Sequence, residues 1–475
     1  MGIAALRSIL DPAKAAQLRE FNRYLLIFKI VVLLGVFSCP FWLSGLFFTS
    51  PRDYSYLSSL VCVPLLAIVC AAAVAHVSQG DPYLRWLLSA GLVAHMAFSS
   101  FCLWLGFLLY GARLDAFHYW TMGLQLVSQF DVIGWSAFHP PYWSTNLINN
   151  IAGVIMLFIG DGLPALFITF ALAALWGSYF FYRAFVITFP QGDRWLFGLL
   201  VTLLPSILYW ASPLGKDALA QLFLGITCYG FAKFARWHNG LSALVGILGI
   251  GGMLAVRAHI AAMLAMGVVV PYAFGRTQQR SPAIMAAKVI LVPLFFAGTF
   301  FLAKEAGRFV GIKNDDISGG VERVDSLSRN TQIGGSTFNS GSSLPVRVVE
   351  SPFLLFRPFP WEVHNAISVV AAVESGGLLL LFWWRRRVIW SVLRQWRNPY
   401  VGFILIYCLE FSVAYSAATS NFGILVRERI MMVPFALILV CAKPRSAVEP
   451  VRPTMRRRPS FRVSTSVRET SQVRS

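Results

Sequence analysis

Long runs of apolar residues that carry no charge dominate this sequence. Residues 163–182, for example, are LPALFITFALAALWGSYFFY, without one charged side chain. A helix of about 18 or more such residues is long enough to cross a hydrocarbon core about 30 Å thick. Because hydrocarbon cannot hydrogen-bond free backbone amides, segments of this kind are expected to be helical. The sequence therefore predicts an all-α polytopic membrane protein.

Composition and charge point to the same class. The 475 residues are 57% hydrophobic and 13% charged, whereas soluble domains average about 25% charged residues. The mean hydropathy is +0.65. The net charge of +19 lies mainly between the apolar runs, where it is a topology signal. Nucleic acid is not expected as a partner.

The apolar runs predict twelve membrane spans. They fall near residues 24–47, 57–78, 86–111, 163–182, 195–212, 217–235, 241–256, 259–275, 285–303, 364–384, 400–419 and 430–442. Residues 147–160 form a further apolar run of about fourteen residues, a length more typical of a re-entrant or interfacial piece than of a full crossing.

The distribution of basic residues predicts that both termini are cytoplasmic. Residues 385–399 contain five arginines and no acid, and residues 443–475 contain nine basic and two acidic residues. Loops that face the cytoplasm carry an excess of Lys and Arg. With twelve crossings and 147–160 not crossing, both of these segments lie on the cytoplasmic side.

This topology divides the chain into three parts. Residues 1–23 have mixed charge and are typical of an amphipathic helix at the cytoplasmic interface. Residues 24–442 form the transmembrane domain, with outer-face loop or juxtamembrane helix regions at 112–162 and 304–363. Residues 443–475 are predicted to form a basic, disordered tail on the cytoplasmic side.

Several ionisable and aromatic residues are predicted to lie together at the outer boundary of the membrane. Charged groups held at this depth are costly, and they are functional candidates for that reason. The candidates are Asp115, His118, Tyr119, Lys216, Arg257, His259, Arg357 and Arg427. Asp217 is equally explained as the cap of a following helix, and Arg429 as an interface anchor.

These residue types suit an amphiphile with an anionic head. A carboxylate such as Asp115 can act as general base on an acceptor hydroxyl. Lys216, Arg257, Arg357 and Arg427 can hold a phosphate or diphosphate, because guanidinium groups grip its oxygens in a fork. The ligand implied is a polyprenyl phosphate or diphosphate that carries a sugar.

Four segments resemble the integral-membrane glycosyltransferases of the GT-C superclass and related bacterial surface-polysaccharide membrane proteins. They are RLDAFHYW at 113–120, LLPSILYWASPLGKDAL at 203–219, FRPFPWEVHN at 356–365 and SNFGILVRERIMMVPF at 420–435. The first is typical of the broad superclass, and the other three are similar to a narrower group.

The resemblance implies transfer of a sugar from a polyprenyl-linked donor to a glycan or lipid acceptor on the outer side of the bacterial inner membrane. Asp115 becomes the candidate base or metal contact. Many members carry a second acid in this motif, where Ala116 stands here. That difference argues against a metal site, with Asp131 as the other carboxylate available, and no cofactor is predicted.

Three other functions stay open from the sequence. A polysaccharide polymerase or ligase would use the same lipid-linked substrates but join whole repeat units. A transporter or flippase of a lipid-linked glycan is the second alternative, for which Glu374 and Glu410 are the ionisable residues inside predicted spans. A non-catalytic scaffold of a polysaccharide assembly complex is the third.

Overall fold

The computed structural model describes residues 56–274, 349–363, 366–419 and 421–443. These residues form α-helices and short 3-10 helices, with no β-strand among them. The α-helices are α1 (Tyr56–Val77), α2 (Pro82–Tyr110), α3 (Asp115–Ile133), α4 (Ser144–Ile159), α5 (Leu163–Thr188), α6 (Arg194–Leu203), α7 (Pro205–Ala211), α8 (Lys216–Trp237), α9 (Gly240–Val256), α10 (Ala258–Phe274), α11 (Ala366–Trp384), α12 (Arg386–Leu393), α13 (Pro399–Ala418), α14 (Phe422–Arg429) and α15 (Val433–Cys441).

The helices confirm the all-α membrane class. Every predicted span within the described residues falls on helical structure, and span 195–212 covers both α6 and α7. Within the described residues, six helices are long and apolar enough to cross a membrane, namely Ser58–Val77, Pro82–Tyr110, Leu163–Thr188, Arg194–Ala211, Lys216–Trp237 and Pro399–Ser416. The α11–α12 pair passes the same test but bends by 68°, which gives up to seven spans if it counts as one.

The other predicted segments are shorter or lie outside the described residues. α4, α9 and α10 are shorter apolar helices, and α15 has nine residues. Spans 24–47 and 285–303, the segment 1–23 and nearly all of the tail lie outside the described residues. The total of twelve crossings therefore stays a prediction.

Local sequence signals account for the ends of the long helices. The Asp81 side chain accepts a hydrogen bond from the backbone N–H of Leu84, with Pro82 in the first turn. α2 ends at Tyr110 and is capped by Gly111, whose left-handed backbone has φ +53°. Asn398 accepts from the N–H two residues on at the start of α13. Such caps satisfy the backbone groups that a helix leaves unpaired at its ends.

α5 and α8 pack with almost no space between their backbones. A Cβ atom added to Gly177 would lie 2.3 Å from the backbone oxygen of Gln221, and one added to Gly225 would lie 2.3 Å from the backbone oxygen of Gly177. In membranes, small residues allow this approach and supply much of the helix–helix attraction.

Gly177→Ala is therefore expected to destabilise the bundle. The new methyl group would push α5 and α8 apart, at a cost of ~1–3 kcal/mol, and lower the thermal unfolding midpoint in detergent. Gly251→Ala on α9 is the matched control, because nothing lies within 4 Å of its added Cβ. A Gly177→Ala protein that unfolds at the wild-type temperature would contradict this account of the α5–α8 contact.

The directions of these helices bring several turns to one end of the bundle. α5 and α8 run in the same direction, because Gly177 lies against Gln221 while Phe180 has its ring centroid 5.5 Å from that of Tyr229. The α6–α7 segment between them returns the chain. The starts of α5 and α8 and the end of α7 consequently share one end, which is called the site end below.

A different group of charged residues meets at the opposite end. Arg385 Nη2 lies 2.7 Å from Asp193 Oδ2, and Arg194 Nη1 lies 3.6 Å from Asp81 Oδ2. The backbone N–H of Asp193 also donates to the carbonyl of Cys441. These contacts join the α1–α2 and α5–α6 turns to the ends of α11 and α15, all of which the sequence predicts on the cytoplasmic side.

The first predicted outer loop, 112–162, is mostly helical. It contains α3, a 3-10 helix at Gly134–Ala137 and α4. α3 and α4 pack through small residues, since an added Cβ at Gly123 would meet Met156 and Ala152. In the second loop, only residues 349–363 are described, and they include 3-10 helices at Ser351–Phe356 and Pro360–Glu362.

Candidate functional site

Asp217 is the centre of a buried ion network at the site end. Its Oδ1 accepts from Arg257 Nη2 at 2.6 Å, and its Oδ2 accepts from Arg427 Nε at 2.6 Å. The carboxylate is 5% exposed. A buried charge needs partners of opposite sign. Asp217 stands in the first turn of α8, but it joins three separate parts of the chain rather than only capping its own helix.

A second carboxylate, Glu428, completes the pairing of Arg257. Glu428 Oε2 pairs with Arg257 Nη1 and accepts a hydrogen bond from the Tyr415 hydroxyl, with the two oxygens 3.1 Å apart. His259 Nε2 lies 3.0 Å from that hydroxyl. Burial alone would lower the pKa of Arg257, but Glu428 and Asp217 outweigh it and hold that pKa well above its usual value. Arg257 is thus occupied by two carboxylates.

Arg427 connects this network to Asp115. Arg427 Nη1 lies 3.3 Å from Asp115 Oδ2, and its guanidinium lies 5.9 Å from the ring centroid of Trp210. The Asp217 carboxylate raises the pKa of Arg427 above its usual value, against the effect of burial. Asp115 begins α3, and its side chain is 65% exposed. Arg427 is its one ion-pair partner within the described residues.

Lys216 makes a different kind of contact. Its Nζ donates to Ser144 Oγ at 3.0 Å and to Thr145 Oγ1 at 2.9 Å, both at the start of α4. Within the described part of the chain it has no carboxylate within ion-pair distance. Lys216 therefore has no ion-pair partner among the described residues, unlike Arg257 and Arg427.

The aromatic and histidine candidates line the same end in different ways. Tyr119 is buried next to the turn before α8, 3.9 Å from a Cβ added at Gly215. Burial, and then the charge of Asp115, raise the pKa of Tyr119 to about 12. His118 is exposed, with its ring centroid 6.1 Å from that of Tyr119. His259 belongs to the Glu428 network instead.

A second buried network surrounds Arg429. The Arg429 Nη1 group donates to the backbone carbonyls of Leu355 at 3.1 Å and Arg357 at 2.6 Å and to Ser375 Oγ at 2.7 Å. Its Nη2 lies 3.1 Å from Glu374 Oε1. The side chain is 0% exposed, so of the two explanations left open the interface anchor does not apply, and Arg429 is a core residue that fixes the 349–363 segment.

Two further candidates find their partners around this second network. The Arg357 side chain pairs with Glu362 and lies 5.4 Å from the ring centroid of Phe422. Glu374 accepts from the backbone N–H of Ser206 at 2.7 Å as well as from Arg429. Glu374 is consequently a paired structural carboxylate rather than an isolated one.

The structure separates Asp131 from Asp115. Both are on α3, and 16 residues of helix correspond to roughly 24 Å along the axis. The two carboxylates therefore cannot share one ligand. Among the described residues, no group of three or more His, Cys, Asp or Glu side chains is placed to hold a metal ion.

Four of the predicted site residues lie together in the structure, but several of their partners were not predicted from the sequence. Asp115, Lys216, Arg257 and Arg427 lie in or beside the Asp217 network. Glu428, Tyr415, Ser144 and Thr145 were not predicted. The segment VRER offered one signal, because an acid between two arginines at a membrane boundary favours ion pairing.

The fold and the site together define a helical membrane protein with an ionic cluster at one end of its bundle. Comparisons of the chain with protein-family models, with curated proteins and with solved structures found no match.

Proposed function

We propose that this protein is a membrane glycosyltransferase that moves a sugar from a polyprenyl-phosphate-linked donor to an acceptor glycan or lipid. The supporting observation is the open carboxylate of Asp115, which is 65% exposed and lies 3.3 Å from Arg427. A solvent-accessible carboxylate beside held cations can receive a proton while an anionic leaving group is stabilised. The four segments that resemble the GT-C superclass support the same function.

The proposal includes an orientation in the membrane. The chain is placed in the bacterial inner membrane with twelve crossings, both termini in the cytoplasm and the Asp115 cluster on the outer face. The excess of arginine in residues 385–399 supports this orientation. The contact of Arg385 with Asp193, at the end opposite the cluster, also agrees with it.

Each residue of the cluster has a role in the proposed reaction. Asp115 accepts the proton of the acceptor hydroxyl as its oxygen forms the new bond to the sugar carbon. The bond from that carbon to the donor phosphate breaks, and polyprenyl phosphate leaves with the electron pair. The sugar gains oxocarbenium character in between. Arg427 stabilises the charge that develops in the transition state. Asp217 holds Arg427 through Nε, and Arg257 in turn holds Asp217.

A transporter of lipid-linked glycan is the second candidate, because of Glu410. Glu410 lies within the α13 span, and its Oε2 is buried with no hydrogen-bond partner among the described residues. Ionisable groups inside a membrane often mark ion or substrate pathways. Glu374, in contrast, has its charge paired with Arg429.

Reconstitution distinguishes these functions. The purified protein in vesicles would receive a polyprenyl phosphate with a radiolabelled sugar, together with membrane extract as a source of acceptor. We expect label in a covalent product one sugar longer than the acceptor. Products that grow by whole repeat units would instead identify a polymerase or ligase. Uptake of label without covalent transfer would contradict the glycosyltransferase and favour the transporter.

A further inference from the structure

The ion pairs around Asp217 limit which cations at the site end are free to bind an anion. The arginines Arg257 and Arg427 face three carboxylates, those of Asp115, Asp217 and Glu428. A phosphate that approached either guanidinium would be repelled by these carboxylates or would have to displace one. Ion pairing thus makes both arginines poor primary phosphate ligands, although their residue type suggested that role.

Lys216 differs from the two arginines because it has no ion-pair partner among the described residues. An ammonium group has three donors and no acceptor. Two of these donors point at the hydroxyl oxygens of Ser144 and Thr145, at 3.0 and 2.9 Å, and the third has no described protein acceptor. Because both hydroxyls accept from Lys216, their own protons are free to be donated outward. No described acceptor takes these protons.

The three groups therefore form a cluster of donors without an acceptor. One N–H and two O–H groups are available within a few ångströms, beside the first turn of α4. No side chain caps the start of this 16-residue helix, and its free backbone N–H groups add partial positive charge. Ser144 and Thr145 are not fully buried, so the cluster is open to a ligand.

We propose that Lys216, Ser144 and Thr145 form a binding site for the phosphate oxyanion of a membrane lipid. An ammonium without an ion-pair partner among the described residues can bind a phosphate oxyanion, and three donors match the free oxygens of such a group. The identity of the lipid as the polyprenyl-linked donor rests on the proposed function. The site itself rests on the contacts of Lys216.

Lipid binding to the full-length protein in phosphatidylcholine nanodiscs tests this site. Undecaprenyl phosphate is the probe, and native mass spectrometry or tryptophan fluorescence measures its dissociation constant. Lys216→Met is expected to weaken binding ~10-fold or more, because a charge-assisted hydrogen bond is lost. The double variant S144A/T145V is expected to weaken it several-fold. Lys233→Met, at the other end of the same helix, is the matched control and should bind like the wild type.

Two competitors distinguish the possible sources of the phosphate. Competition by phosphatidylglycerol that depends on Lys216 would assign the site to bulk phospholipid, and competition by inorganic phosphate would assign it to the free anion. Either supports the oxyanion site. Wild-type affinity in both the Lys216→Met and S144A/T145V proteins, or equal weakening in Lys233→Met, would overturn it.

The lipid-binding test of this site and the transfer assay of the proposed function can fail independently. The probe has no sugar, so its binding needs no base and does not depend on the proposed reaction. Binding that depends on Lys216 in a protein without transferase activity would retain the site and reject the reaction. Transfer activity with unchanged probe binding in both Lys216→Met and S144A/T145V would retain the reaction and reject this site.

Discussion

Asp115→Asn is expected to reduce the rate of sugar transfer ~10²–10⁴-fold, the usual contribution of a general base. Asparagine has nearly the same shape and can still accept from Arg427, but its amide does not take a proton from an acceptor hydroxyl. The rate would be measured in the vesicle assay with radiolabelled donor. Transfer at the wild-type rate would remove Asp115 from the reaction.

The expected loss of activity should come without a loss of stability. The Asp115–Arg427 pair is long and its carboxylate is 65% exposed, and pairs of this kind contribute about 0–1 kcal/mol. Asp217 continues to hold Arg427 through Nε. The unfolding midpoint of Asp115→Asn should therefore match the wild type, which separates a chemical role from a structural one.

Asp131→Asn is the matched control for this variant. It makes the same change on the same helix, in a residue that is exposed and roughly 24 Å further along the α3 axis. Its transfer rate and its unfolding midpoint should both equal those of the wild type. Equal losses in both variants would point to a general effect of α3 charge rather than to a base.

The meeting of distant charges at one end of the bundle could be predicted from the sequence. Uncharged runs of known length fix where the chain turns, and alternating direction puts every second turn at the same end. Lys216 follows one such turn and Arg257 lies in another. Their approach to Arg427 therefore follows from topology, without any knowledge of the side-chain contacts.

The pairing within that end could not be predicted in the same way. Asp217 and Arg427 are 210 residues apart in sequence, so no local pattern connects them, and a cap explained Asp217 equally well. The sequence placed juxtamembrane helix in 112–162 and a short apolar piece at 147–160, but the bounds of α3 and α4 could not be predicted. α4 is shorter than a full membrane span, and α3, with 19 residues, is not among the helices apolar enough to be one. The two helices pack against each other through Gly123 and Gly153.

Glu374→Gln is expected to have the largest effect on stability. Arg429 would remain fully buried while losing the carboxylate that balances its charge, and breaking a buried pair in this way costs about 3–5 kcal/mol. Thermal unfolding in detergent would show a clearly lower midpoint. Arg194→Gln is the control, since its pair with Asp81 is 3.6 Å long and partly exposed, and it should change the midpoint little.

The double variant E374Q/R429M tests whether charge imbalance is the cause. Removing both charges eliminates the unpaired guanidinium, so the double variant should be less destabilised than the sum of E374Q and R429M. A coupling of ~0.5–3 kcal/mol is expected for residues in direct contact. The double variant should still be less stable than the wild type, because the carbonyls of Leu355 and Arg357 lose their hydrogen-bond donor. Strictly additive effects would show that Arg429 acts through those carbonyls alone and that Glu374 does not balance its charge.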